Sequence, residues 1–158
     1  IPWAILLDPT SAVIFIARAV GQRSMVITKI SRREIGSIIN QGKELGTHVY
    51  IYTGGEPLVR KKDLIALCEM HPDCAFLAFT NGTLVDEDFC QEMIRVKNFV
   101  PAISVEGFEA ATDARRGEGT YQKVNKAMEL LHKNGLPFGV SCCFTSANAE
   151  FHCLRGVF

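Results

Sequence analysis

The sequence predicts an α/β protein built on a parallel sheet. Three observations carry that reading. Short apolar runs rich in β-branched and aromatic residues alternate with longer amphipathic stretches from end to end. A length of 158 residues confines the pattern to one compact unit. Hydrophobic residues make up 47% of the chain, enough for a core, while apolar runs such as residues 13–17 and 4–7 are far too short to span a bilayer.

Taken in order, strands are expected at residues 4–7, 49–52, 75–79, 100–105 and 138–144, each short and suited to burial on both faces. Helices fill the gaps. Ser31 reads as an N-cap with Glu34 three residues on, and Ile35, Ile38, Ile39 and Leu45 keep helical spacing until Gly46 ends the run. Residues 63–70 and 86–96 repeat the scheme, the second with an acidic first turn and Arg95 and Lys97 near its end. A fourth helix covers residues 121–133 and stops at Asn134 and Gly135, with Pro137 behind. Five strands and four helices in this order fit either an open doubly wound sheet or part of a barrel.

Charge and cysteine content exclude several classes. Seventeen Lys and Arg balance seventeen Asp and Glu, so there is no basic field for nucleic acid or an anionic membrane, and neither is expected as a partner. The six cysteines show no metal-type spacing, and adjacent Cys142 and Cys143 do not suggest a stapled secreted scaffold, which points to a reducing cytoplasm. His48, His71, His132, Cys68, Cys74 and Cys90 read as structural or solvated. The apolar start, with no basic stretch before it and no initiating Met, reads as a core strand of a trimmed product.

In either α/β architecture a site is expected after the C-terminal ends of the strands, where helix N-termini and free backbone N–H groups gather. Thr53, Gly54, Gly55, Glu56 and Pro57 follow the second strand. Two glycines let backbone approach a ligand, and a carboxylate beside them suits an amine, although a tight turn alone would also use glycine. Thr80, Asn81, Gly82 and Thr83 follow the third strand, where Asn-Gly is equally a common turn. Alternation sends Ser104 and Glu106 to one face at the end of the fourth strand. Beyond them lie Arg115 and Arg116, suited either to a ligand carboxylate in forked geometry or to a surface ion pair.

In sequence order, "YIYTGGEPLV", "FTNGTLVDEDF", "PAISVEGFEAATDARRGEGTYQKV" and "GVSCCFTSANAE" resemble radical S-adenosylmethionine (radical SAM) enzymes, and within them the subgroup with a C-terminal extension for auxiliary iron–sulfur clusters. The resemblance covers residues 1–12 and about 30–150. It implies a partial TIM-like (β/α)6 barrel with an incomplete parallel wall of about five strands, and SAM lying across the strand ends. The family roles fall on Gly54, Gly55, Glu56 and Pro57 around the methionyl amine. Ser104 and Glu106 fall at the ribose and methionyl side, Arg116 toward the carboxylate, and Asn148 in the adenine region, with Thr80 and Asn81 supporting the same edge. The family's cofactors are SAM and a [4Fe–4S] cluster, and its intact members cleave SAM reductively at that cluster.

One departure is decisive. The family's CxxxCxxC motif should begin right after "LLDPTSA", but those positions hold Val13, Ala17 and Val20, and no cysteine precedes Cys68. Three thiolates are missing, so a cluster is not expected in this chain and it is expected to be inactive. The genetic code offers a reason. Preceded by a single t and read from that base, one back-translation of residues 13–27 spells CNLHCTGCWAAEYGN, a family-like cluster loop. A one-base slip before Val13, restored between Ile27 and Arg33, accounts for it. Residues 151–158 read one base later give SIASEEF, which continues "TSANAE" better than "FHCLRGVF" does. The expected organisation is a partial barrel over residues 1–150 with a disrupted loop at 13–29, followed by an aberrant tail at 151–158. The alternatives are a genuine cluster-less SAM- or nucleoside-binding protein, and an unrelated α/β protein with similar glycine turns.

Overall fold

In the computed structural model, residues 2–10 and 30–143 are described. The expectations for residues 13–29, for Asn148 and for the tail at 151–158 lie outside them. The strands are β1 (Ile5–Leu7), β2 (Val49–Tyr52), β3 (Ala75–Thr80), β4 (Phe99–Ser104) and β5 (Gly139–Ser141); the helices are α1 (Arg32–Glu44), α2 (Lys61–Met70), α3 (Glu87–Val96), α4 (Glu109–Arg116) and α5 (Thr120–Lys133). A 3-10 turn at Pro57–Arg60 leads into α2. Among the described residues, no helix is long and apolar enough to cross a membrane.

All four strand pairings are parallel and the strands lie in sequence order, β1-β2-β3-β4-β5. That order settles the choice of architecture. A doubly wound sheet reverses its strand order at a switch point, whereas a barrel wall adds each strand beside the last. The sheet is five strands of such a wall and is not closed.

The helices form where caps and apolar stripes agree. The Ser31 hydroxyl accepts from the Glu34 amide at 3.2 Å while the Glu34 carboxylate accepts from the Ser31 amide at 2.8 Å, a reciprocal capping box. Ile35 and Ile39 on α1 are fully buried. Asp86 caps α3 through the Phe89 amide at 2.9 Å. Behind the sheet, Tyr50 and Phe76 are paired in register and stacked at 5.7 Å between ring centroids, with Tyr52 stacked on Phe76 at 5.8 Å. The Tyr50 hydroxyl donates to the Ile39 carbonyl at 2.8 Å and anchors α1 to this layer.

Two expectations need correction. The strands are not buried on both faces: the helix side is dry, but Leu6 is 65% exposed and Phe79 38% exposed on the other. An unclosed wall leaves the barrel-interior face of its strands open. Among the described residues there are also five helices rather than four. α4 was missed because Thr112 is its single buried residue, so the segment carries no apolar stripe.

Candidate functional site

Because every strand is parallel, the residues that follow β1 to β5 meet at one edge. Asp8 follows β1. Gly54 after β2 has φ +95°, and a Cβ there would fall on the Asp8 carboxylate, so glycine is needed both for the turn and for close approach. The Thr53 amide donates to the Leu7 carbonyl at 2.9 Å and extends the β1 to β2 contact to this turn. Gly54 and Gly55 are exposed at the edge.

Glu56 is occupied by protein partners. Its Oε1 accepts from the Leu58 amide at 2.9 Å and from the Thr80 hydroxyl at 2.7 Å, while Oε2 accepts from the Asn81 amide at 2.8 Å. The carboxylate therefore caps the turn that Pro57 begins and stitches the end of β2 to the end of β3. Thr80 is buried and its hydroxyl accepts from the Gly82 amide at 3.0 Å. The Asn81 side chain caps Thr83 at 2.9 Å, the Asx turn that Asn-Gly allows.

At the end of β4, Ser104 is half-buried and in register with Ser141 of β5. Glu106 is 2% exposed and lies against two arginines. Arg116 donates to its Oε1 through Nε at 2.9 Å and Nη2 at 2.6 Å, and Arg115 Nη1 reaches Oε2 at 3.3 Å. Arg116 is thus held by a carboxylate of the chain itself, and a ligand carboxylate would have to share it. Thr112 braces the corner, its hydroxyl accepting from the Glu106 amide and donating to the Gly107 carbonyl, both at 3.1 Å. Burial and the neighbouring Glu106 hold the Cys142 thiol above its ordinary value, and a hydrogen bond to Cys143 together with Glu106 raises Arg115.

Gly54, Gly55, Glu56, Pro57, Thr80, Asn81, Ser104 and Glu106 follow or end β2, β3 and β4 at this edge, and Arg116 reaches it through Glu106. The edge adds Asp8 and Ser141, which sequence reasoning passed over. Asp8 stands directly after the first strand, so its position at a strand end was the available signal; Ser141 lies in the middle of the run expected at 138–144 and reaches the edge because β5 ends there. Exposed glycine backbone beside carboxylates suits an ammonium group, and the paired Ser104 and Ser141 suit hydroxyl-bearing ligands.

The described residues do not fit an iron–sulfur cluster at this edge. Cys68 and Cys90 are buried on α2 and α3, burial pushing the Cys68 thiol up to about 12, and Cys74 precedes β3 at the opposite edge. Only Cys142 and Cys143 follow a strand here, fewer thiolates than a cluster requires. At that opposite edge His48, Asp73 and Cys74 form the one group of metal-type donors among the described residues. Its carboxylate is taken by Lys43, 2.8 Å from Asp73 Oδ2 and 2.9 Å from Oδ1.

Parallel strands in sequence order, with GGEP and SVEG at their C-terminal ends, define a partial (β/α) barrel wall. The radical SAM superfamily model matches residues 19–148, and the chain belongs to that superfamily. It is 28% identical over 141 residues to an AdoMet-dependent heme synthase of Nitratidesulfovibrio vulgaris, a match covering 82% of this chain and 36% of the relative. It is 25% identical over 125 residues to an Fe-coproporphyrin III synthase of Methanosarcina barkeri, covering 77% and 31%. The chain therefore spans about a third of the length of these curated relatives. Among solved structures, Streptococcus suis SuiB bound to S-adenosylmethionine superposes with a TM-score of 0.72 at 17% identity, over 96% of this chain and 36% of that one. Native anSMEcpe with bound AdoMet gives 0.69 at 23% identity, over 94% and 46%. These likenesses show the fold.

Proposed function

We propose that this chain keeps the AdoMet-facing edge of a radical SAM barrel over residues 1–150 and, as written, does not cleave AdoMet reductively. The observation that carries the reading is the set Val13, Ala17 and Val20, which stand where the family's three cysteines belong. In this reading Gly54, Gly55 and Pro57 shape the turn around the methionyl amine. Ser104 stands at the ribose and methionyl side, where Glu106, itself buried, acts through Arg116; Arg116 shares its fork between Glu106 and the ligand carboxylate, and Asn148 serves the adenine region. Glu56, Thr80 and Asn81 keep the edge in shape. In the family a bound cluster would supply the electron and help to hold the methionyl group. Without that anchor, charge-assisted bonds of about 1.5–3 kcal/mol each are largely consumed in immobilising the ligand, so AdoMet binds weakly.

The test has three parts. Anaerobic reconstitution of the chain with iron and sulfide should give no charge-transfer absorption with stoichiometric iron; a cluster in the unaltered chain overturns the proposal. Replacing residues 13–27 by CNLHCTGCWAAEYGN should restore iron binding. The nucleotide sequence around codons 12–34 and after codon 150 should show slipped frames, whereas one continuous frame would favour a genuine cluster-less binder.

A further inference from the structure

We infer that Arg60 is a clasp that fixes the turn after β1 and the chain entering α1 against the glycine turn, and so acts as a positioning residue for the edge. Its bearing on AdoMet rests on the function proposed above. Arg60 closes the 3-10 turn that Glu56 caps. Its guanidinium has two working sides. Nε and Nη2 donate to Asp63 Oδ2 at 3.0 and 2.9 Å, and Nη1 donates to the Pro9 carbonyl at 2.6 Å and the Ile30 carbonyl at 2.7 Å. The side chain is only 10% exposed. Pro9 is buried and adjoins Asp8, the residue packed on Gly54; Ile30 adjoins Ser31, the N-cap of α1.

One cation thus joins three stretches that are far apart in sequence, and one of them, through Asp8, packs on the glycine turn. Only a planar fork does this. Asp63 grips one edge of the guanidinium and holds the opposite nitrogen between the two carbonyls, whereas a lysine ammonium is a single point and cannot span both sides. Burial raises the consequence of losing it, because the two carbonyls and the Asp63 carboxylate would be left short of a donor. Arg32 Nη1 lies 3.9 Å from the other Asp63 oxygen, Oδ1, a loose and exposed ion pair. Arg60 is therefore placed to set where Asp8 lies on Gly54 without itself standing among the strand-end groups.

Amide hydrogen exchange on the full chain tests this. The Thr10 amide donates to Asp8 Oδ1 at 3.0 Å and the Thr53 amide to the Leu7 carbonyl at 2.9 Å, so both report on the clasped turn; the Val105 amide, bonded to the Ser141 carbonyl at 3.0 Å, reports on the far side of the sheet. In Arg60→Met, exchange at Thr10 and Thr53 should rise about tenfold or more with Val105 unchanged, since local openings follow local bonds. Arg60→Lys should fall between, and Asp63→Asn, which keeps the arginine but loosens its grip, should show the same pattern more weakly. These two milder variants decide the matter if Arg60→Met does not fold. No change at Thr10 and Thr53, or equal acceleration at Val105, overturns the clasp. Calorimetric titration with AdoMet should show weaker binding in Arg60→Met in parallel with the exchange at Thr53. Absence of AdoMet binding in the unaltered chain would overturn the proposed function and leave the clasp to be decided by exchange.

Discussion

The Glu56 carboxylate accepts the Thr80 hydroxyl at 2.7 Å, so the acidic residue of the GGEP turn is bonded to the neighbouring strand rather than left for a ligand. Glu56→Ala removes acceptors for Thr80, Leu58 and Asn81 together and should destabilise the fold by about 2–3 kcal/mol. Glu56→Gln keeps one oxygen but sets an NH2 against a backbone N–H, and should cost about 1 kcal/mol. Urea unfolding of the three proteins checks the order, and a fully stable Glu56→Ala would mean that the stitch carries no weight. Any loss of AdoMet affinity in these variants is to be read against that loss of stability.

Gly54→Ala tests the contact with Asp8. The position combines φ +95° with a space already filled by a carboxylate. The backbone term alone is about 1–2 kcal/mol, and the collision adds to it. A thermal melt should show a loss of at least that size, while Gly55→Ala, at a glycine whose φ is not positive, should cost less. Equal effects at the two glycines would argue against the close approach.

Much of this fold was legible because local signals and tertiary packing agree. Ser31 and Glu34 announce α1, and Val49–Tyr52 stands where the β-branched and aromatic run places it. What was not legible depends on distance in sequence. α4 carries no apolar stripe, although Glu109 in its first turn and Arg115 and Arg116 in its last follow the helix dipole. Arg60 looks like a surface cation until Pro9 and Ile30 are folded beside it. Nothing in the sequence says that Glu106, ten residues before Arg116, turns back to meet it.

Arg116→Ala is for that reason a stability variant before it is a binding variant. It withdraws the principal partner of a carboxylate that is 2% exposed, leaving Arg115 at 3.3 Å as a poorer substitute. Breaking such a pair from one side costs about 3 kcal/mol. Replacing both members, as in Glu106→Gln with Arg116→Met, should recover part of that loss. A double-mutant cycle by urea unfolding measures the coupling, and additive effects would show that the pair is not a unit.

The start of α5 gives a pH test with a fixed sign. Asp113 Oδ1 accepts the Tyr121 amide and Oδ2 the Gly119 amide, both at 2.8 Å, and these bonds to the charged form, Tyr121 first, hold its carboxyl below the ordinary 3.8. A carboxyl depressed in the native state contributes stability that is fully present above its unfolded value and is lost as pH falls through the native one. Asp113→Asn should therefore be less stable than the unaltered chain at neutral pH, and the gap should persist down to about pH 4 and close below it. Denaturant unfolding of both proteins across that range checks the window. A difference that stays constant below pH 3.8 would place the cost of the substitution in packing rather than in the charged cap.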